Sequence, residues 1–182
     1  MLRWAIDEDI ELRLLEERHA ELVYEAVRAN QAYLAQWLSW AREEPALEKT
    51  RQFIRSALER FAHRNGMTLG IWYRGMFVGV ISFVYFHWEN RRTEIGYWLA
   101  EAYQGRGIIT RAARALCQYA FEELGLNRVE IRCAVGNTRS CAVAERLGFA
   151  REGVMRQYAA REGKFDDVAI YGLLAEEWTK TQ

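Results

Sequence analysis

The sequence predicts an α+β fold in which a mixed, mostly antiparallel central sheet is flanked by helices. Three observations support this: helical and extended patterns do not alternate strictly, three extended segments follow one another directly, and one helix crosses within the sheet. The 182 residues suffice for one sizeable core, and a single proline without low-complexity stretches argues against a linker. We therefore interpret residues 1–182 as one domain.

The composition excludes several classes of protein. Lys plus Arg and Asp plus Glu each number 25, so no overall field draws the chain to nucleic acid or a membrane. No run of ~18 apolar residues predicts a membrane span, and residues 1–8 lack a signal-peptide core. The three cysteines form neither a disulfide framework nor a metal-binding spacing. We expect a reduced, cytoplasmic protein that binds no metal, membrane or nucleic acid.

In the first half of the chain, apolar residues recur at helical spacing in two segments and follow extended patterns in four others. Gly66 follows the second helical segment at a position typical of a helix C-cap. Arg74 and Gly75 form a tight turn between two extended segments, which indicates a hairpin. The predicted elements are a strand at 10–15, helices at 16–29 and 48–64, and strands at 67–73, 76–86 and 92–99.

Three aromatic residues, Tyr33, Trp37 and Trp40, recur at a spacing of three to four positions between the two predicted helices. Such a stripe is typical of a face buried in the core. The alternative is that the stripe walls a substrate site, together with His87 in the loop after the third predicted strand. The sequence leaves both interpretations open.

Residues 104–110, Gln-Gly-Arg-Gly-Ile-Ile-Thr, lie between the strand at 92–99 and a helical pattern at 111–121. Glycine lets backbone N–H groups approach a ligand, and a helix N-terminus adds unpaired donors with partial positive charge. The turn is therefore a candidate pyrophosphate site with Arg106 as a further cation, although simple turn chemistry explains it equally well. It lacks the Gly-Lys-Ser/Thr of a Walker loop and the third glycine of a dinucleotide fingerprint.

The second half of the chain continues with a strand, a short helix and two further strands. Residues 128–134 alternate as a strand, and Asn137 fits the N-cap of a helix that ends near Gly148. Strands at 150–160 and 165–174 follow, with Gly163 in the turn between them.

The glycine turn combined with Asn137, Ser140 and the following Ala-Glu-Arg-Leu-Gly-Phe resembles the GNAT family of acetyl-CoA-dependent N-acetyltransferases. Gln104 and Gly107 fit the family's loop pattern, whereas Ile109 stands where that pattern has glycine or alanine. The same departure occurs in the RimJ/RimL branch of ribosomal-protein N-terminal acetyltransferases, which also contains enzymes acting on small amines and antibiotics. The resemblance to that branch covers nearly the whole chain, through segments 30–40, 79–83, 94–99 and 166–171.

The resemblance implies a GNAT fold whose sheet splays between the fourth and fifth predicted strands, at 92–99 and 128–134. The pantetheine arm of acetyl-CoA would lie in that opening, and the pyrophosphate would meet the amides of the glycine turn. The cofactor-binding residues implied in this way are Trp98, Leu99, Gln104, Gly105, Arg106, Gly107, Ile108, Ile109, Thr110 and Asn137.

Acetyl transfer to an amine needs a deprotonated amine, a polarised carbonyl and a proton for the leaving thiolate. By the resemblance, a backbone amide near Leu99 would polarise the carbonyl. Ser140, one helical turn after Asn137, is the candidate proton donor, and a serine that only caps the helix is the alternative.

Glu94 is the candidate general base, acting through an ordered water, because it lies on the strand that lines the amine side in GNAT enzymes. The alternative is an ion pair with Arg92 or with a cation on a helix. The RimL pattern implies a glutamate on the sixth predicted strand, but residues 157–160 carry no carboxylate. We interpret Cys133 as a packed strand residue, since no histidine lies in a neighbouring segment to activate it.

The resemblance implies acetylation of the N-terminal α-amine of a protein, such as a ribosomal protein, by direct attack in a ternary complex. An α-amine has a pKa of ~7.7–8.0 against ~10.4 for lysine, so far more of it is neutral at pH 7. Two alternatives remain: acetylation of a small amine or antibiotic, and a non-catalytic acyl-CoA-binding sensor. The aromatic-rich surface is also compatible with a homodimer.

Overall fold

The computed structural model describes residues 3–161 and 163–178 of the chain. Its strands are β1 Arg3–Ala5, β2 Ile10–Leu14, β3 Met67–Tyr73, β4 Met76–His87, β5 Arg92–Leu99, β6 Arg128–Ala134, β7 Ala150–Arg161 and β8 Lys164–Leu174. They form one sheet in the order β1-β2-β3-β4-β5-β6-β8-β7, antiparallel throughout except for the parallel pair β5–β6. The predicted α+β class with a mixed, mostly antiparallel sheet is confirmed. The predicted domain spans 1–182, so its two ends and residue 162 lie outside the described residues.

The α-helices within the described residues lie on the two faces of this sheet. Helix α4 begins directly after Gly107 rather than at Arg111, and it continues as a π-helical turn at Tyr119–Glu123. None of the helices in these ranges is long and apolar enough to cross a membrane. The helices are α1 Ala20–Ala29, α2 Gln31–Leu34, α3 Leu47–Ala62, α4 Ile108–Gln118, α5 Thr138–Arg146 and α6 Ala175–Trp178.

The structure differs from the predicted elements mainly near the N-terminus. Strand β1 was not predicted, because three residues are too few to show a period of two. The helix expected to start at Glu16 starts at Ala20, since the Glu16 N–H donates to His19 Nδ1 at 3.0 Å and a 3₁₀ turn intervenes. The aromatic stripe does not form one helix face, because α2 ends at Leu34 and a separate 3₁₀ turn covers Ser39–Arg42.

Two apolar cores lie on opposite faces of the sheet, which explains why β4 and β5 are rich in large apolar residues. Helices α4 and α5 pack on one face, where Ile95 of β5 is buried. Helices α1 and α3 pack on the other face, where Trp98 of β5 is buried. Neighbouring side chains of β5 therefore serve different cores, as expected from the alternation along a strand.

The sheet opens between β5 and β6. These strands pair through Arg92–Arg128, Thr93–Val129 and Glu94–Glu130, and their pairing ends there. Beyond Glu94, β5 remains paired with β4 as far as Leu99, whereas β6 follows β8. The splay between the fourth and fifth predicted strands is thus confirmed. These two strands are β5 and β6 in the structure, because β1 was not among the predicted strands.

Candidate active site

The opening between β5 and β6 leads into a cleft of about 1310 Å³. Its walls come from β5, β6, the glycine turn with the first turn of α4, the start of α5, the segment 33–42 and the β7–β8 hairpin. Ligand pockets typically measure ~300–1,000 Å³, so this cleft has room for a large cofactor together with a second substrate.

Beyond Glu94, the side of β5 that faces the cleft has no strand partner among the described residues. The Ala100 N–H donates to the Val78 carbonyl at 2.8 Å, which directs Ala100 towards β4. Because alternate residues of a strand point their N–H and C=O groups to the same side, those of Leu99 and Tyr97 face the opening. Gly79 of β4 allows the two strands to lie close together here, since a Cβ at this position would collide with the Trp98 carbonyl oxygen. The edge of β5 can therefore bond an extended chain as a further strand would.

The glycine turn ends in an uncapped helix. Gly105 and Gly107 have φ of 72° and 69°, in the left-handed region that favours glycine. Gly107 is the N-cap of α4 and gives no side-chain cap, so the first amides, from Ile108 onward, keep their donors for an anion. An added Cβ at either glycine would meet nothing within 4 Å, which leaves the space above the turn clear for a phosphate group.

Ile108 and Ile109 contribute backbone and not side chains to this surface. Their side chains are buried in the core beneath the turn. The aliphatic residue at position 109, where the GNAT loop pattern has glycine or alanine, therefore points away from the space where a phosphate would bind.

Three arginines surround the glycine turn. The Arg106 guanidinium lies 5.6 Å from the centre of the Tyr103 ring and donates to the Ala102 carbonyl at 3.3 Å. Arg111 forms an ion pair with Asp7 at 2.7 Å, which reduces its use for a ligand. Arg139 of α5 donates to the side chain of Gln104, so it ties the turn to α5. Sequence reasoning missed Arg139, because nothing local indicates a contact across 35 positions.

Asn137 and Ser140 form the start of α5. The Asn137 Oδ1 accepts the Ser140 N–H at 3.2 Å, so Asn137 is the N-cap. The Ser140 Oγ lies 2.9 Å from the Tyr97 hydroxyl of β5. The Ser140 side chain therefore faces the strand opening, and the capping role that was its alternative belongs to Asn137.

Glu94 lines the cleft at the point where β5 and β6 separate. Its ion-pair partner is Arg132 of β6, with Nε 3.4 Å from the Glu94 carboxylate, whereas Arg92 faces Glu130 at 3.6 Å. Burial raises the pKa of Glu94, Arg132 lowers it, and the nearby Glu130 raises it further. The Arg132 Nε forms no hydrogen bond among the described residues, so its contact with Glu94 is an ion pair only. The Glu94 oxygens can therefore still accept a hydrogen bond from another partner.

Ser140 and Glu94 approach the opening from opposite faces of the sheet. Tyr97, which contacts Ser140, packs against the core on the α4–α5 face. Glu94 has the same strand parity as Trp98, which is buried in the core on the α1–α3 face. A proton acceptor on one face and a proton donor on the other suit a transfer reaction that takes place between them.

The predicted substrate residues divide into two groups. Tyr33 and Trp37 line the cleft, whereas Trp40 and His87 do not. Trp40 is 47% exposed and its ring lies 6.4 Å from that of Trp98, so it supports the β5 wall from behind. His87 is at the far end of β4, where its Nδ1 accepts the Asn90 N–H at 3.1 Å. Neither residue therefore contributes to the cleft wall that it was expected to form.

Arginine contacts close one side of the cleft, and sequence reasoning missed them. Arg42 donates to the Ala160 carbonyl of β7 at 2.6 Å, and the Arg161 guanidinium lies 5.4 Å from the centre of the Trp37 ring. The segment 33–42 is thus tied to the β7–β8 hairpin. Tyr158, which is 58% exposed, lines the cleft beside this junction.

Cys133 lines the cleft but is poorly suited to act as a nucleophile. Its thiol is 3.3 Å from that of Cys141, and burial raises the pKa of Cys133 to about 12. At neutral pH almost none of it would be thiolate, the reactive form. Within the ranges that the structure describes, no group of three or more His, Cys, Asp or Glu residues is arranged to hold a metal ion.

Comparison with known proteins gives consistent results. Residues 9–150 match a family described as an acetyltransferase (GNAT) domain. The chain is 42% identical to the Bacillus subtilis protein YdaF, provisionally named a ribosomal N-acetyltransferase, over 98% of each chain. It is 32% identical to the Escherichia coli ribosomal-protein-serine acetyltransferase, over 94% of this chain and 96% of that protein. The solved structure of RimL, a ribosomal L7/L12 α-N-protein acetyltransferase in complex with coenzyme A as a CoA–cysteine disulfide, aligns with a TM-score of 0.93 at 30% identity, covering 97% of this chain and 99% of that one.

Proposed function

This chain belongs to the GNAT family of acetyl-CoA-dependent N-acetyltransferases, and we propose that it acetylates the N-terminal α-amine of a protein, in particular a ribosomal protein. The observation that carries the proposal is the open β5–β6 cleft, whose two faces offer Ser140 and Glu94. The names of relatives that align along nearly the whole chain support the choice of acceptor.

The described residues fit acetyl-CoA as the acyl donor. We propose that the unpaired amides after Gly107 hold its pyrophosphate, and that Leu99 and Asn137 bond its pantetheine arm. Arg106, Arg139 and Gln104 surround the same turn and would add cationic and polar contacts. When bound, acetyl-CoA supplies the acetyl group as a thioester.

The reaction that we propose is direct transfer in a ternary complex. Glu94 accepts a proton from the acceptor amine through a water molecule, and the Leu99 N–H donates to the thioester carbonyl. Ser140 donates its hydroxyl proton to the departing thiolate and takes a replacement proton from solvent in the open cleft. The high pKa of the Cys133 thiol supports this direct route over an acetyl-cysteine intermediate.

The charge of Arg132 provides a test of Glu94. Because Arg132 lowers the pKa of this carboxyl, the change Arg132→Gln should raise that pKa further. The carboxylate would then form only at higher pH, so the acidic limb of the kcat/KM profile should move to higher pH. We expect no such movement for Arg92→Gln, the matched control, because Arg92 faces Glu130. Profiles measured with one peptide acceptor compare the two variants, and an unmoved limb in Arg132→Gln would remove Glu94 as the base.

The acceptor is tested with labelled acetyl-CoA and a Ser- or Ala-starting peptide that also contains an internal lysine. We expect label only on the α-amine, since an α-amine has a much lower pKa than a lysine and a flexible chain end can enter the cleft. The control is the same peptide with a blocked N-terminus, which should stay unlabelled. Peptide mass mapping that finds label only on lysine, or turnover only with small amines or antibiotics, would contradict the proposed acceptor. Acetyl-CoA binding without turnover of any amine would indicate an acyl-CoA sensor.

We also propose that the protein acts in the cytoplasm, where a ribosomal acceptor is found, and that it forms a homodimer. Strand β7 is the edge of the sheet, and Val154 and Tyr158 on it are exposed. An exposed apolar edge of this kind suits pairing with a second copy. Sedimentation velocity of the full chain measures this, and a monomer at assay concentration would reject the dimer without affecting the proposed chemistry.

A further inference from the structure

We propose that Tyr97 is a positioning residue that holds the Ser140 hydroxyl with its proton directed into the cleft. The inference rests on the proposed role of Ser140 as proton donor. It is carried by the contact between the two hydroxyl groups, whose oxygens are 2.9 Å apart.

Tyr97 reaches Ser140 across the opening of the sheet. It lies on β5 beyond the last residue pair with β6, so its ring crosses to α5 where no backbone bonds join the two walls. Its hydroxyl also lies 3.3 Å from the Ser140 carbonyl oxygen, a longer contact in which only Tyr97 can donate. The Ser140 N–H is held separately by Asn137. The backbone of Ser140 is therefore fixed by α5, and the side-chain oxygen is held by Tyr97.

The direction of this hydrogen bond decides what the serine can do. A serine hydroxyl has one proton and rotates to suit its partners. If Ser140 donates to Tyr97, the serine proton points at the Tyr97 hydroxyl oxygen. It is then not available to a group bound in the cleft. If Tyr97 donates to the Ser140 Oγ, the serine proton is not used by Tyr97 and can point either at a leaving group or at the neighbouring Cys133 thiol. Only the second arrangement makes Ser140 a proton donor.

The surroundings of Tyr97 favour the role of a neutral donor. Burial raises the pKa of Tyr97, with the thiols of Cys133 and Cys141 adding to the effect and the Ser140 hydrogen bond opposing it. A phenol with a raised pKa keeps its proton throughout the neutral range. It can orient Ser140 in every turnover, and it is not itself the source of the transferred proton.

The test is a double-mutant cycle of Tyr97→Phe, Ser140→Ala and the two combined. Phenylalanine keeps the ring and its packing, so we expect unchanged thermal melting and a similar acetyl-CoA Kd by calorimetry. We expect Tyr97→Phe to lower kcat about tenfold with little change in KM, as for the loss of one neutral hydrogen bond. In the Ser140→Ala background the same change should lower kcat no further, because a residue that acts through Ser140 has nothing left to position.

Three results would overturn the proposal. An unchanged kcat in Tyr97→Phe excludes positioning, and an equal loss in both backgrounds shows that Tyr97 acts independently of Ser140. In either case a low kcat for Ser140→Ala alone would leave the proposed function standing. A normal kcat for Ser140→Ala would reject Ser140 as the donor and the role of Tyr97 with it.

Discussion

Ser140→Ala is expected to lower kcat by ~10²-fold or more, the effect of losing a positioned acid, while acetyl-CoA affinity stays close to that of the parent enzyme. The hydroxyl lies at the opening between β5 and β6 and is 2.9 Å from the Tyr97 hydroxyl. Asn137 caps α5 through the Ser140 backbone N–H, which alanine retains. The substitution therefore removes the proposed proton donor and leaves the helix intact.

Steady-state kinetics with saturating peptide, together with calorimetry of acetyl-CoA, measure this separation of kcat from binding. Ser56→Ala is the control, because it removes an exposed serine hydroxyl from α3, does not line the cleft, and should leave kcat near the parent value. If Ser140→Ala turns over at the parent rate, another group protonates the thiolate.

Gly107→Val is expected to weaken acetyl-CoA binding by at least about tenfold. Charge at a partly buried helix N-terminus contributes up to ~2 kcal/mol, and ~1.4 kcal/mol corresponds to a factor of ten. A valine side chain would occupy the clear space above the turn, where a phosphate would approach the first amides of α4. Position 107 has a φ of 69°, which also imposes a backbone cost of ~1–2 kcal/mol on any L-residue.

Gly125→Val separates these two effects. Gly125 has φ of 62°, and a Cβ there also meets nothing within 4 Å, but it lies beyond the end of α4 and does not line the cleft. Both variants should melt at a lower temperature by a similar amount, and only Gly107→Val should lose affinity in calorimetry. Equal affinities in the two variants would show that the turn does not bind the pyrophosphate.

Features that depend on neighbouring residues were predicted well from the sequence. The glycine turn was recognisable because left-handed backbone at Gly105 and Gly107 is a local requirement. The cap at Asn137 was recognisable because a cap bonds a group three residues away. The start of α4 was placed too late, since Ile108 and Ile109 were assigned to the turn while their side chains in fact belong to the core.

The contacts between distant segments could not be predicted in the same way. The alternative to a base role for Glu94 was an ion pair with Arg92 or a helical cation, but its partner is Arg132, because the parallel register of β5 and β6 places that arginine beside it. Trp40 was assigned to the substrate site from the spacing of the aromatic stripe, and His87 from its expected position in a loop. However, α2 ends at Leu34 and His87 is the last residue of β4, so neither side chain lines the cleft.

The sequence by itself determined the order of the longer elements, the glycine turn and the family resemblance, because each depends on residue types at short spacing. Only the tertiary structure decided where β5 and β6 separate, and therefore which side chains meet across the opening. Tyr97 and Ser140 are 43 positions apart, and their contact arises because β5 stays with β4 while β6 and α5 follow β8. Strand pairing and packing set that divergence, and these are properties of the whole sheet that no local pattern of residues contains.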